Sequence, residues 1–197
     1  MYYHRLESIY VFKGKKLKLD ISFDNVLQTF EIKKEEEFSD VDKIEITLKM
    51  LVTNYSKLKN ITIIEKGKLL TEIYNNFIIG ESKNTDRKDP RVVDFKQDAN
   101  YIYASFLSCY GIDLYDVRGI LHWKKFVSLF QGLTNETKIK EIMEIRGRKL
   151  RKPTKYNQEE IQNLRELKAY YAIGDLEENY QDGLGELFNS LERMASK

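Results

Sequence analysis

The stretch at residues 94–126 reads DFKQDANYIYASFLSCYGIDLYDVRGILHWKKF and contains the clearest helical pattern of the chain. Within it, apolar and aromatic residues recur every third or fourth position, which is the spacing of a helix with one buried face. Gly111 follows the first of these runs, and glycine readily takes the left-handed conformation that ends many helices. The pattern predicts two aromatic-rich helices that pack on each other and form the core. Its predicted buried side chains are Ile102, Tyr103, Phe106, Leu107, Tyr110, Trp123, Phe126 and Phe130.

The same block carries a family resemblance. Its motifs are YIYASF at residues 101–106, YGIDL at 110–114, LHWxxF at 121–126, then Gly132-Leu133 and IMxxR at 142–146. Over roughly residues 94–150 the chain resembles the bacteriophage gene-product-15 family. Those proteins are encoded among the tail genes of long-tailed phages and prophages of Gram-positive hosts, before the tape-measure gene. The resemblance implies a tail assembly chaperone or a related morphogenesis role, with the tape-measure protein as the partner and tail-tube subunits as a further candidate partner. It supplies no catalytic residue.

Composition favours a mainly α-helical fold. A chain of 197 residues suits one domain, or one domain with a small appendage, and 42% hydrophobic residues are enough for a buried core. Only two prolines interrupt the backbone hydrogen-bond ladder of helices. The prediction is a multi-helix domain with a small N-terminal β-hairpin.

The N-terminal third leaves two alternatives open. Strands are predicted at residues 9–12 and 17–23, where Gly14 supplies the turn between them. Alternatively, the second strand ends at Leu19 and a helix begins at Ser22 or Asp24. The favoured version is a short hairpin followed by that helix.

Capping signals place the other helices. Ser39 precedes one helix and has the spacing of a capping box with Asp42, and a further helix is predicted over about residues 64–79. Asp94 is predicted to cap the central helix, with Gln97 in the reciprocal position. After the two central helices, a short helix should end near Gly147 and another should follow a cap at Asn157.

The predicted organisation has four parts. Residues 1–79 form the hairpin with its helices, and residues 80–93 form a polar, turn-rich linker. Residues 94–174 form the central helical core with the family motif, and residues 175–197 form an amphipathic C-terminal helix.

Charge is balanced over the whole chain but concentrated locally. The 33 basic and 31 acidic residues give a net charge of +2, so no global field attracts nucleic acid. A basic run covers residues 138–155. It lacks the interleaved aromatic residues of a single-strand binder and the signature of a recognition helix, so nucleic acid is not the expected partner. A small nucleic-acid-binding regulator stays open as an alternative. The run supplies five candidate partner-binding residues: Arg146, Arg148, Lys149, Arg151 and Lys152.

The C-terminal segment has the opposite charge. Residues 175–192 contain six acidic and no basic residues, together with the apolar candidates Leu184, Leu187, Phe188 and Leu191. This segment could pair with the basic run, within one chain or between copies, so self-association is expected. The alternative is that it packs on its own domain as an ordinary terminal helix.

The residue types argue against catalysis. With two histidines and one cysteine, no zinc site of familiar spacing can be assembled, and no phosphate-binding or nucleophile motif is present. We expect a non-enzymatic protein with no cofactor, no bound metal and no membrane span, acting in the cytoplasm of the bacterial host. The alternative within the same biology is a structural component retained in the virion tail.

Overall fold

The computed structural model of the chain describes residues 8–79 and 91–174. Within them it has seven α-helices and one two-stranded antiparallel sheet, which confirms the predicted mainly α fold with an N-terminal hairpin. A 3-10 helix, Tyr55–Leu58, and a π-helix, Tyr74–Ile79, also occur. The strands are Ile9–Phe12 (β1) and Lys15–Lys18 (β2), and the helices are Phe23–Lys34 (α1), Asp40–Leu51 (α2), Ile63–Ile73 (α3), Ala99–Tyr110 (α4), Trp123–Gln131 (α5), Lys138–Gly147 (α6) and Gln158–Tyr170 (α7).

The described chain divides into two compact units. The first unit holds residues 8–79 and 115–128, and the second holds residues 91–114 and 129–174. The predicted single core over residues 94–174 is therefore divided, because residues 115–128 belong to the first unit. The reason is that the aromatic start of α5 packs against α1 within that unit.

The hairpin follows the shorter of the two predicted alternatives. β1 and β2 pair from Ile9 opposite Lys18 to Phe12 opposite Lys15. The turn between them needs positive φ, 47° at Lys13 and 73° at Gly14, and glycine adopts such angles without strain. β2 ends before Leu19, and Ser22 occupies the N-cap position of α1.

The core of the first unit is built around the single tryptophan. Trp123 is fully buried, stacks on Phe126 at 5.6 Å between ring centroids and meets Phe30 edge-on at 5.7 Å. Phe126 in turn stacks on Phe23 at 4.9 Å. The indole N–H donates to the carbonyl of Ile78 at 2.9 Å, so this large side chain is buried without an unsatisfied donor.

A pair of backbone hydrogen bonds holds the start of α5 beside the start of α1. The amide of Phe23 donates to the carbonyl of Leu121 at 2.9 Å, and the amide of Trp123 donates to the carbonyl of Ile21 at 2.8 Å. These two bonds form the isolated antiparallel bridge between Ser22 and His122. Residues far apart in sequence are thereby joined in one unit.

One charged cluster lies half-buried between α2 and α3. The ammonium group of Lys66, on a residue that is only 8% exposed, donates to Glu45 at 2.5 Å and to the hydroxyl of Tyr55 at 2.9 Å. The hydroxyl of Tyr55 also donates to Glu45. Hydrogen bonds from Lys66 and then from Tyr55 lower the pKa of the Glu45 carboxyl.

The buried face of α4, in the second unit, is rotated from the predicted one. Ile102 and Phe106 are buried as predicted, but they share their face with Asp98 and Ser105. Leu107, a predicted core residue, is 43% exposed because this rotation turns it outward. Polar residues therefore form part of the buried face of this helix.

Two tyrosines of α4 are half-buried, with their hydroxyl groups satisfied. Tyr103 donates to Asp113 at 3.1 Å, and Tyr110 donates to the carbonyl of Leu129 at 2.8 Å. The helix ends at Gly111, whose φ of 64° confirms the predicted left-handed C-cap.

The helix start also differs from its prediction. α4 begins at Ala99, one turn after Asp94, whose carboxylate caps the preceding turn by accepting from the amides of Lys96 and Gln97, each at 2.8 Å. The predicted linker ends sooner than residue 93, because Val92 and Val93 are buried. Its remaining part, residues 80–90, lies outside the described residues.

Candidate partner-binding groove

A buried ion pair organises the second unit. Arg146 of α6 binds Asp98, the residue before α4, through two parallel hydrogen bonds of 2.6 and 2.9 Å. The side chains are 6% and 1% exposed, respectively. Such a bidentate pair fixes both distance and orientation, because the planar guanidinium matches the carboxylate plane. It therefore ties the end of α6 to the entry of α4.

Further hydrogen bonds surround this ion pair. Arg146 also donates to the carbonyl of Val92 at 2.9 Å, and Asp98 accepts from the amide of Asp94 at 2.8 Å. Asp94, only 3% exposed, forms its own ion pair with Arg91. Each buried charge thus has an opposite charge and additional polar partners, as burial of charges requires.

The same network anchors α7. Arg146 donates from Nε to the carbonyl of Tyr171 at 2.6 Å, and Lys168 donates to the carbonyl of Arg146. Burial lowers the pKa of Lys168. Gln97 holds the next residues by donating to the carbonyl of Ala172 at 2.8 Å and accepting from the amide of Gly174 at 3.0 Å. Consequently α7 is fixed at its C-terminal end.

A groove opens near the opposite end of α7. After α6 ends at Gly147, Arg148 turns extended, with φ −62° and ψ 124°, and the chain returns to begin α7. α7 packs on α6, and its Ile161 and Leu164 are buried. The groove encloses about 360 Å³ and is lined by Arg148, Lys149, Arg151, Glu160, Ile161 and Leu164. We call this site the basic groove.

Three of the five predicted basic candidates line the basic groove. Arg148, Lys149 and Arg151 come together there, and Lys152 is exposed beside them in the chain. Arg146 does not fit its predicted role. It is 9% exposed and committed to Asp98, so it holds the structure rather than facing a partner.

The cations of the basic groove differ in how far they are neutralised. Arg148 forms an exposed ion pair with Glu144 one turn earlier. Lys149 and Arg151 have no ion pair within residues 8–79 and 91–174. Glu160 is the one acidic residue in the lining. The groove thus combines a positive rim with a small apolar floor, since Ile161 and Leu164 are only 5% and 8% exposed.

Apolar residues are also exposed close in sequence to the basic groove. Leu150 is 44% exposed and Leu167 is 43% exposed, whereas Tyr156 and Tyr170 reach 94% and 77%. Such exposure of large apolar side chains is typical of surfaces that bind another protein when they cluster. The remaining predicted partner-binding residues, at 184, 187, 188 and 191, lie outside the described residues.

Two absences concern the part of the chain that the structure describes. There, no group of three or more His, Cys, Asp or Glu side chains is placed to hold a metal ion. No helix in that part is long and apolar enough to cross a membrane.

Comparison with protein families shows the family of the chain. The family model described as Bacteriophage Gp15 protein matches residues 4–173. The chain belongs to this family. The match extends well beyond the motif block at 94–150 and covers nearly all described residues of the Gp15-family protein. Comparisons with curated proteins and with solved structures give no significant match.

Sequence reasoning missed the Asp98–Arg146 pair, although a signal for it exists. Asp98 stands four positions before Ile102, and Ser105 stands three after it, so both polar residues are in phase with the apolar face of α4. Ser105 donates to the carbonyl of Tyr101 at 2.6 Å and accepts from the amide of Ile139 at 3.4 Å. A polar residue in phase with a buried stripe indicates a partner elsewhere in the fold of this Gp15-family protein.

Proposed function

We propose that this phage protein is a non-enzymatic tail morphogenesis factor that acts as a chaperone for the tape-measure protein. Membership of the Gp15 family supports a phage role, and the gene position implied by the family resemblance supports the tail. The basic groove, with its positive rim and its apolar side chains, is the observation that supports a surface for binding this partner.

The physical basis is the state of the tape-measure chain before assembly. A long tape-measure helix exposes apolar stripes until the tail tube encloses it, and such stripes aggregate unless another protein covers them. An amphipathic helix binds a groove through its apolar face, while charged residues at the edge set its register. In this proposal Lys149 and Arg151 attract the acidic flank of the tape-measure helix and supply most of the attraction, because Ile161 and Leu164, 5% and 8% exposed, offer its apolar stripe only a small contact.

Co-expression tests the proposal directly. The tape-measure protein of the same phage should be insoluble alone and should co-purify as a soluble complex with the full chain. The charge reversal Lys149→Glu/Arg151→Glu should reduce recovery of the complex several-fold, because it reverses the rim that meets the partner.

A matched charge reversal provides the control. Lys59→Glu/Lys125→Glu alters the net charge equally at two exposed lysines outside the groove, and it should leave recovery unchanged. Failure of the unmodified chain to solubilise or retain the tape-measure protein would refute the chaperone proposal. Mass spectrometry of purified virions distinguishes a released chaperone, which should be absent, from a retained tail component.

One observation favours a second candidate, a small nucleic-acid-binding regulator. Tyr156, 94% exposed, directly follows Lys155 in the basic run, and an exposed aromatic ring beside cations is a stacking platform for single strands. A salt-dependent gel shift of single-stranded DNA that disappears in Tyr156→Ala would support this candidate. The absence of a gel shift at low salt would rule out this candidate function.

A further inference from the structure

The basic groove carries positive charge that the described residues do not balance. Of its three cations, Arg148 is paired with Glu144, whereas Lys149 and Arg151 have no ion pair within the described residues; Glu160 is the one carboxylate in the lining. Beside this rim lie Ile161 and Leu164. Because Ile161 and Leu164 are only 5% and 8% exposed, a ligand that fits is chiefly acidic and brings a few apolar side chains for this small apolar floor.

The chain itself contains such a sequence. Residues 175–192 carry six acidic and no basic residues. Within them, Leu184, Leu187, Phe188 and Leu191 follow the i, i+3, i+4, i+7 spacing by which a helix presents one face to a groove. Charge and apolar pattern are both complementary to the groove.

The length of the chain permits binding within one molecule. From Leu164 to Gly174 the path is at most about 22 Å, taking helical rise to the end of α7 and full extension afterwards. Residues 175–183 can span about 30 Å when extended, so Leu184 can reach the groove of its own chain. The segment starts from a fixed position, because Gln97 forms hydrogen bonds with Ala172 and Gly174 just before it.

We infer that residues 175–192 dock in the basic groove of their own chain and so occupy it until a partner binds. The docked segment places its leucines and Phe188 beside Ile161 and Leu164, and its carboxylates beside Lys149 and Arg151. This inference rests on the proposed function in one respect, namely that the tape-measure helix uses the same groove and displaces the segment. The intramolecular contact itself requires no tape-measure protein.

Disulfide trapping in the full chain tests the contact. On a Cys109→Ser background, Glu160→Cys places a thiol in the lining of the groove and Ser190→Cys places one in the C-terminal segment. Under mild oxidation of dilute protein, this pair should form an intramolecular disulfide, seen as a fast-migrating monomer without free thiols. The control pair Asn100→Cys/Ser190→Cys uses an exposed position of α4 outside the groove.

The expected result is a clear difference in rate between the two pairs. The groove pair should close roughly tenfold faster than the control pair, because docking raises the local concentration of the segment at the groove. Adding Lys149→Glu/Arg151→Glu to the groove pair, or raising the salt concentration, should slow its closure. Equal rates for both pairs would overturn the inference. Dimers in place of closed monomers would also overturn it, since the occupant would then be a second copy.

Adding the tape-measure protein separates this inference from the proposed function. If both hold, the partner slows disulfide closure of the groove pair. If closure is fast but the tape-measure protein neither binds nor slows it, the proposed function fails while the intramolecular docking stands. If the tape-measure protein binds but the groove pair closes no faster than the control, the docking fails alone.

Discussion

Removing the carboxylate of Asp98 should destabilise the second unit more than any surface change in α6. Asp98→Ala leaves the guanidinium of Arg146, on a side chain that is 6% exposed, without its counter-charge. Breaking a buried ion pair by deleting one partner costs about 3–5 kcal/mol. The amide of Asp94 loses its acceptor as well, at a separate cost of about 1–3 kcal/mol that is not additive within one network. We therefore expect a loss of about 4 kcal/mol.

Urea unfolding followed by far-UV circular dichroism measures this loss. For a slope of about 2 kcal/mol per molar urea, the midpoint should fall by about 2 M. Tryptophan fluorescence is the wrong probe, because Trp123 lies in the first unit. The matched control is Glu141→Ala, which removes an exposed ion pair with Lys138 on the same helix and should cost at most about 0.5 kcal/mol.

A double variant separates an unpaired charge from lost packing. Asp98→Leu/Arg146→Met replaces both charges by apolar side chains, and such replacements are often close to neutral in stability. It should be more stable than Asp98→Ala, although the amide of Asp94 and the carbonyl of Val92 remain without these partners. If Asp98→Ala unfolds within about 0.5 kcal/mol of the Glu141→Ala control, the buried pair does not stabilise the unit as argued.

Three further changes test other features. Gly111→Ala should destabilise by about 1–2 kcal/mol, because φ there is 64°; a thermal scan should show a lower melting temperature, and an unchanged one would contradict the left-handed C-cap. Thr62→Ala removes the capping box of α3 and should cost about 1 kcal/mol in urea, whereas Thr62→Ser should retain nearly all of it. The pKa of Glu45 is lowered by Lys66 and Tyr55, so the stability that it adds is complete above its unfolded pKa and is lost as pH falls through the lower folded pKa. The stability difference between the unmodified chain and Glu45→Gln should therefore shrink below about pH 4, and a constant difference would contradict the assignment.

Local signals in the sequence predicted local structure well. The turn at Gly14, the C-cap at Gly111 and the cap of α2 by Ser39, which accepts from the amide of Asp42, all depend on a few neighbouring residues. Hydrophobic periodicity likewise located the helices, because the burial of one face imposes a fixed spacing. The structure confirms the helical class from these signals.

Long-range pairing could not be predicted in the same way. The Asp98–Arg146 pair joins residues 48 positions apart, and no local pattern selects one arginine from a basic run. The division of the motif block between two units was missed for a similar reason. Periodicity shows that Trp123 and Phe126 are buried, but it does not name α1 as the helix against which they pack.

The bridge between Ser22 and His122 has a consequence for the order of folding during synthesis. It closes a loop of about 100 residues, with an entropic cost of roughly 4 kcal/mol plus a constant. The first unit cannot be completed until the ribosome has released the start of α5, although its other helices emerge much earlier. Until then, Phe23 lacks Phe126 and Phe30 lacks Trp123, two rings that cover them in the native fold. A nascent chain that stops before residue 115 should accordingly expose apolar surface that the chaperones of the host bind.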